Sequence, residues 1–208
     1  MKAWYFCTTD RKLRYDDNRP IELGITHSVK GKLKICKKGL HGSERLIDAI
    51  SYAPGTVIWE VELSGEIVTD DGTKHCARNR TYLRGGIDIS EVLRKFARKV
   101  ALDVAQYWNM PEVVRGYPET GDESKRAAAA NAAAAANAAA AAYAAYTAYI
   151  ADAAYANANA AAAADAAAAA AAYATTAYAC SAAAYAAAKK KYNTWLTEMV
   201  EEALNASL

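Results

Sequence analysis

The sequence predicts an α+β fold: a small N-terminal domain of mixed strands and helices over residues 1–118, then a long alanine-rich helix or an antiparallel helical hairpin over 119–208. Three observations predict it. All eleven glycines and all four prolines lie at or before Gly121. Apolar and polar residues alternate from Thr56 to Val68, the period of a strand. Some two-thirds of the residues from Ala127 to Ala188 are alanine, the best helix former, and the tract holds no strong helix breaker. That tract also inflates the hydrophobic content of 53%. Alanine buries too little surface to found an ordinary core, so the conventional core must come from the first part of the chain.

Taken in order, Lys2 to Thr8 is aromatic and extended, and Leu33-Lys34-Ile35-Cys36 alternates like a half-buried strand. Ser43 to Tyr52 spaces Leu46, Ile47, Ala49 and Ile50 as the apolar face of a helix, which Ala53-Pro54-Gly55 stops. Val57, Trp59, Val61 and Leu63 form the inner face of the strongest strand, with a bulge at Gly65. Asp70-Asp71-Gly72 is a turn signal, and Lys74 to Leu83 returns as an antiparallel strand. Ile89 to Trp108 reads as a long amphipathic helix with Ser90 as N-cap. Gly-Tyr-Pro-Glu-Thr-Gly then punctuates the chain near Pro118 to Asp122, and Thr120-Gly121-Asp122-Glu123 matches a capping box that opens the arm.

In the arm, Asn157-Ala158-Asn159 suits the turn of a hairpin, because asparagine tolerates the left-handed conformation. Tyr146, Tyr149, Tyr178 and Tyr185 fall on one stripe of a helix, and alanine between them lets helix axes come close. The stripe predicts self-association into a homo-oligomer. Lys189-Lys190-Lys191 fits a solvated helix terminus better than a nucleic-acid contact. Beyond it, Leu196, Met199, Val200, Ala203 and Leu204 make an apolar stripe opposed by Glu198, Glu201 and Glu202.

Charge and motifs exclude more than they assign. A formal net charge of +2 is too small to imply a nucleic-acid partner by itself. No apolar run approaches the roughly 20 residues of a membrane span, and the start lacks the apolar core of a secretory signal, so a cytoplasmic location is expected. Phosphate-binding glycine loops, the Gly-x-Ser-x-Gly elbow and metalloprotease motifs are missing, and no cofactor is implied. Cys7, Cys36, Cys76 and Cys180 form no Cys-x-x-Cys pair, so they read as reduced structural cysteines. A composite zinc site of Cys36, His41, His75 and Cys76 is disfavoured, since neighbours in a strand point to opposite faces. Lys34, Lys37 and Lys38, with Arg78 and Arg80 on the returning strand, allow an anion-binding face, but the residues favour a solvated strand edge guarded by lysines.

Gly39-Leu40-His41-Gly42-Ser43, Tyr52-Ala53-Pro54-Gly55, the Val61-Glu62-Leu63-Ser64-Gly65 strand and the Met1-Lys2-Ala3-Trp4 start resemble an uncharacterised family of phage and prophage proteins. In that family an alanine-rich tail follows Thr-Gly-Asp-Glu, and the likeness runs from Met1 through about Ala130. It implies a phage protein of the host cytoplasm, with self and a host protein as partners, and supplies no activity. A shorter stretch, Gly39-Leu40-His41 through the strand after Tyr52, is similar to the middle of ADP-ribosyltransferase folds. That likeness implies Tyr52 stacked on a nicotinamide-type ring and Glu60 or Glu62 beside a ribose hydroxyl, with His41 a further catalytic candidate. The residues favour a non-enzymatic phage-type accessory protein, a binding module with a self-associating arm that acts on a host or defence component. The alternatives are a structural filament or virion-associated protein, and an ADP-ribosyltransferase-like enzyme.

Overall fold

The computed structural model describes residues 1–15, 17–70, 72–105, 112–122, 124–125 and 181–207. It is an α+β protein in which an antiparallel sheet is followed by helices. Two units emerge: residues 1–90 with 200–208, and the described residues of 91–199.

The sheet unit holds β1 (Lys2–Cys7), β2 (Thr26–Ser28), β3 (Leu40–Gly42), the short helix α1 (Leu46–Ser51), β4 (Val57–Asp70) and β5 (Lys74–Asp88). The strand order is β1-β4-β5-β2, and β3 pairs with β5 beyond β2. A further bridge joins Trp4 to Ser43: the Trp4 amide donates to the Ser43 carbonyl at 2.8 Å, and the reciprocal bond is 3.1 Å. This brings the end of β3 back to β1, so β1, β4, β5 and β3 close a ring of pairing around one core. Closure leaves fewer unpaired edges.

The long hairpin forms where the alternation and the Asp-Gly turn place it, and β5 continues past Leu83 to Asp88. The bulge lies at Gly65, with φ of +76° and a register shift between Ser64 and Ile67. Val57, Trp59, Val61, Leu63 and Tyr82 line the inner face with Ala3, Cys7 and Leu40. Leu13 and Ile21 join them from the long β1–β2 connection, which folds back through the Lys12–Pro20 bridge.

Three expected elements are corrected. Leu33 to Cys36 is a turn rather than a strand: the Lys34 carbonyl accepts the amides of both Lys37 and Lys38, and Cys36 has φ of +62°. The Lys34 amide returns the bond to the Lys38 carbonyl at 2.9 Å, so the segment pairs only with itself as a tight bridged turn. The first helix begins at Leu46, not Ser43, because Ser43 spends both backbone groups on Trp4. Thr120 closes a helix instead of opening one. Its hydroxyl donates to the Gly116 carbonyl at 2.6 Å, and the Gly121 amide reaches Tyr117 at 2.7 Å with φ of +68°, the left-handed stop of a helix C-terminus. Asp122 takes over as the next cap, its carboxylate accepting the Ser124 amide at 3.0 Å.

In the second unit, α2 (Ser90–Val104) starts beneath the Asp88 carboxylate, which accepts the Ser90 amide at 2.8 Å, so Ser90 is the first helical residue and not the cap. It is followed by α3 (Glu112–Thr120) and α4 (Ser181–Ala206). Asp103 of α2 accepts Lys191 Nζ at 2.5 Å and the Tyr192 hydroxyl at 2.9 Å from α4. The end of α4 belongs to the sheet unit, where Val200 and Leu204 are buried and Glu201 pairs with Arg84 of β5. The alanine tract, with its helix-or-hairpin alternatives, Asn157 to Asn159 and Cys180, lies outside the described residues. Among those described, no helix is long and apolar enough to cross a membrane.

Candidate functional site

At one mouth of the closed sheet lies a cleft of about 240 Å³. Its floor is Tyr5 of β1, Arg80 of β5 and His41 of β3; its rim carries Arg14, Lys37 and Lys38. Such mouths are common ligand positions in small closed sheets.

Alternation along β5 points Arg80 inward with Tyr82, and Arg80 is 2% exposed. Its Nε and Nη2 both donate to the Tyr82 hydroxyl, at 3.1 and 2.8 Å, and Nη1 donates to the His41 carbonyl at 2.7 Å. The guanidinium lies 3.5 Å from the centroid of the Tyr5 ring, a cation–π contact. With its oxygen occupied by two donors, the Tyr82 hydroxyl gives its own proton to His27 Nδ1, 3.0 Å away. His27 therefore carries its proton on Nε2, facing the Pro20 carbonyl. Burial pushes the Tyr82 phenol up to about 12, so it stays a neutral donor and acceptor.

What this network lacks is an anion. No described carboxylate pairs with Arg80, whose hydrogen bonds go to the Tyr82 hydroxyl and the His41 carbonyl, neither of which carries a charge to balance it. Asp17 also lines the cleft, but Arg19 grips both of its oxygens, at 2.5 and 2.8 Å, which holds its carboxyl below the ordinary value. Arg14, Lys37 and Lys38 make no ion pair with a described carboxylate. The cleft thus gathers four cations around one compensated acid. An isolated buried charge is costly, and the Tyr5 face and three hydrogen bonds offset only part of that cost.

His41 adds a neutral group. Burial first, then Lys74 and Arg80, lowers it to about 4. Its Nε2 accepts the Cys36 amide at 3.2 Å, which puts the ring proton on Nδ1.

Of the residues expected to bind anions, Lys37, Lys38 and Arg80 line the cleft and Lys34 and Arg78 do not. Arg78 clasps the Val29 and Gly31 carbonyls and the Glu66 carboxylate. The sequence reading missed Tyr5, Arg14, Tyr15 and Asp17. His41 and Tyr52 share a smaller cleft of about 50 Å³ with Trp4 and Lys74, whose ammonium is 3.8 Å from the Tyr52 ring centroid. Glu60 and Glu62 line neither cleft and lie on the alternate face of β4. Burial opposes the charge on Glu60, yet hydrogen bonds from Arg84 and Lys2 outweigh it and hold the carboxyl below its usual value. Cys7, buried, is pushed up to about 11, which leaves a thiol without nucleophilic character near neutral pH. His41 accepts the Cys36 amide and stands opposite Cys76 on β5, with His75 next along that strand, yet no group of three or more metal-ligating side chains that could hold an ion occurs among the described residues. Tyr146, Tyr149 and Tyr178 lie outside the described residues; Tyr185 falls on α4.

The class that fold and cleft define is a small, closed antiparallel sheet with a cationic mouth. Over residues 2–95 the chain is similar to a family described as a domain of unknown function (DUF7666), a span that contains the whole sheet and the cleft. No curated protein and no solved structure matches the chain.

Proposed function

We propose that the chain is a non-enzymatic, phage-type accessory protein of the host cytoplasm. Its sheet unit is a binding module whose cleft receives an anionic group presented by a host or defence component, and its alanine- and tyrosine-rich arm self-associates. The observation that carries this reading is Arg80: a guanidinium 2% exposed, with no carboxylate partner among the described residues, at the floor of a cleft rimmed by three more cations. A guanidinium held only by neutral groups at the floor of a cleft leaves its charge to be balanced by a bound anion.

Affinity capture from host lysate tests the reading. Wild-type protein is expected to recover a stoichiometric partner, and Arg14→Glu/Lys37→Glu/Lys38→Glu to lose it. Equal recovery by that variant contradicts the role of the cleft. Recovery of the chain alone favours a filament or virion component. For the arm, light scattering should show an oligomer at tens of micromolar whose mass falls when Tyr146, Tyr149, Tyr178 and Tyr185 become serine; a monomeric wild type refutes self-association.

A further inference from the structure

We infer that the cleft is built for a phosphomonoester, its phosphoryl group seated against the Arg80 guanidinium and the rim cations and its organic body over Tyr5 and Leu13. The inference rests on the anion-binding reading above and names the chemical class of the ligand.

One observation separates a phosphoryl group from a carboxylate, and two more describe its seat. The first is charge. Arg80 alone neutralises a carboxylate and would leave Arg14, Lys37 and Lys38 facing one another across an unbalanced rim. A phosphomonoester carries about −1.5 to −2 near neutral pH and offers three terminal oxygens, enough to engage Arg80 and the rim together. The second is geometry. Nη1 and Nη2 are each fixed by a bond to the His41 carbonyl or the Tyr82 hydroxyl, so the guanidinium is held in place before an anion arrives. The third is space and lining. A cleft of about 240 Å³ with Tyr5, Leu13, Val29 and Leu40 on its walls exceeds what a bare oxoanion fills and suits a small apolar body attached to it. His41, lowered to about 4 and therefore neutral near pH 7, contributes an N–H donor without adding a fifth charge.

Isothermal titration calorimetry on the full chain at pH 7.5 tests this with phenyl phosphate, inorganic phosphate and benzoate. Phenyl phosphate is expected to bind, inorganic phosphate more weakly for want of the ring, and benzoate about tenfold more weakly than phenyl phosphate, since only the phosphoryl group can use the rim cations. Arg80→Lys, which keeps one charge and loses the fork, is expected to abolish measurable phenyl phosphate binding. Because Arg80 is buried and its replacement can unsettle the core, Lys37→Gln/Lys38→Gln serves as the second variant. Those side chains rise from an exposed turn held by backbone bonds, and their loss should weaken phenyl phosphate at least threefold while leaving benzoate unchanged. Benzoate binding as tightly as phenyl phosphate, or phenyl phosphate indifferent to the lysine pair, overturns the phosphoryl assignment; if Arg80→Lys then still loses both ligands, the broader anion-binding reading stands. Absence of heat with phenyl phosphate at millimolar concentration overturns the inference outright, and the lysate capture judges the broader reading independently.

Discussion

Arg80, Tyr82 and His27 form a chain of donors and acceptors in which each proton has one place to go. Removing the central hydroxyl with Tyr82→Phe strips two Arg80 N–H groups of their acceptor and His27 of its donor while changing the packed volume little. The expected loss is about 1–3 kcal/mol in denaturant unfolding, and a loss below about 0.5 kcal/mol would show that the network is not holding the floor of the cleft. Two histidines, His41 and His27, set the pH response. His41 falls from 6.5 to about 4, and His27 is lowered by burial, Arg19 and Arg80. Between those values the unfolded chain binds protons that the folded chain refuses, so stability is fully present above about pH 6.5 and is lost as pH falls towards 4. Asp17 and Glu60, held below ordinary values of 3.8 and 4.5, add their loss only at the acid end. Thermal unfolding from pH 7.5 to 4.5 should show this slope, and His41→Gln should reduce it without abolishing it, because His27 remains; an unchanged slope contradicts the assignment. Part of the site was legible from residue types. The lysine cluster around Lys37 and Lys38, and the arginines of the returning strand that includes Arg80, were visible as a basic set in the sequence, though a solvated strand edge explained them at least as well locally. The burial of Arg80 was not, since arginine defaults to the surface and only the inward register shared with Tyr82 hints otherwise. Arg14, Tyr15 and Asp17 sit in a connection without periodicity, so nothing local marked them as cleft residues.

At the scale of elements, the β4–β5 hairpin was fully readable: period-two alternation, an Asp-Gly turn and a glycine bulge are all local signals. Ring closure was not, because β3 is three residues long and the Trp4–Ser43 bridge is set by packing between distant segments. The third helix escaped because Pro118 and Gly116 look like punctuation, although Gly121 is the residue that stops it. Gly85 and Gly86 stand opposite the irregular register around Trp59. At Gly85 a Cβ would stand 2.4 Å from the Ile58 carbonyl oxygen, and φ is +121°. Gly85→Ala is therefore expected to cost about 2–3 kcal/mol, against about 1 kcal/mol for Gly24→Ala, where φ is positive but the space is open. Denaturant melts of the two variants check this; equal losses would mean that conformation alone, and not the close strand approach, demands glycine at position 85.

On the scale of the whole molecule, the chain returns to its beginning. Residues 200–208, the last in sequence, join the unit formed by residues 1–90, through buried Val200 and Leu204 and the Arg84–Glu201 pair at 2.5 Å. The apolar stripe at the C-terminus was legible from its helical spacing, but its destination was not, because a stripe states what it buries and not against what. Leu204→Ala is expected to destabilise the sheet unit by about 2–4 kcal/mol in chemical unfolding, and Glu201→Gln by under about 1 kcal/mol, since that pair is partly exposed. A neutral Leu204→Ala would detach the C-terminus from the sheet. Everything proposed for function then turns on whether the cationic mouth of that sheet takes an anion at Arg80. The most direct measurement is an arginine side-chain ¹⁵N–¹H correlation spectrum recorded during titration with phenyl phosphate. The Arg80 Nε and Nη signals should shift most and saturate together with the Tyr5 ring signals; shifts confined to exposed arginines such as Arg94, with Arg80 unmoved, would contradict it.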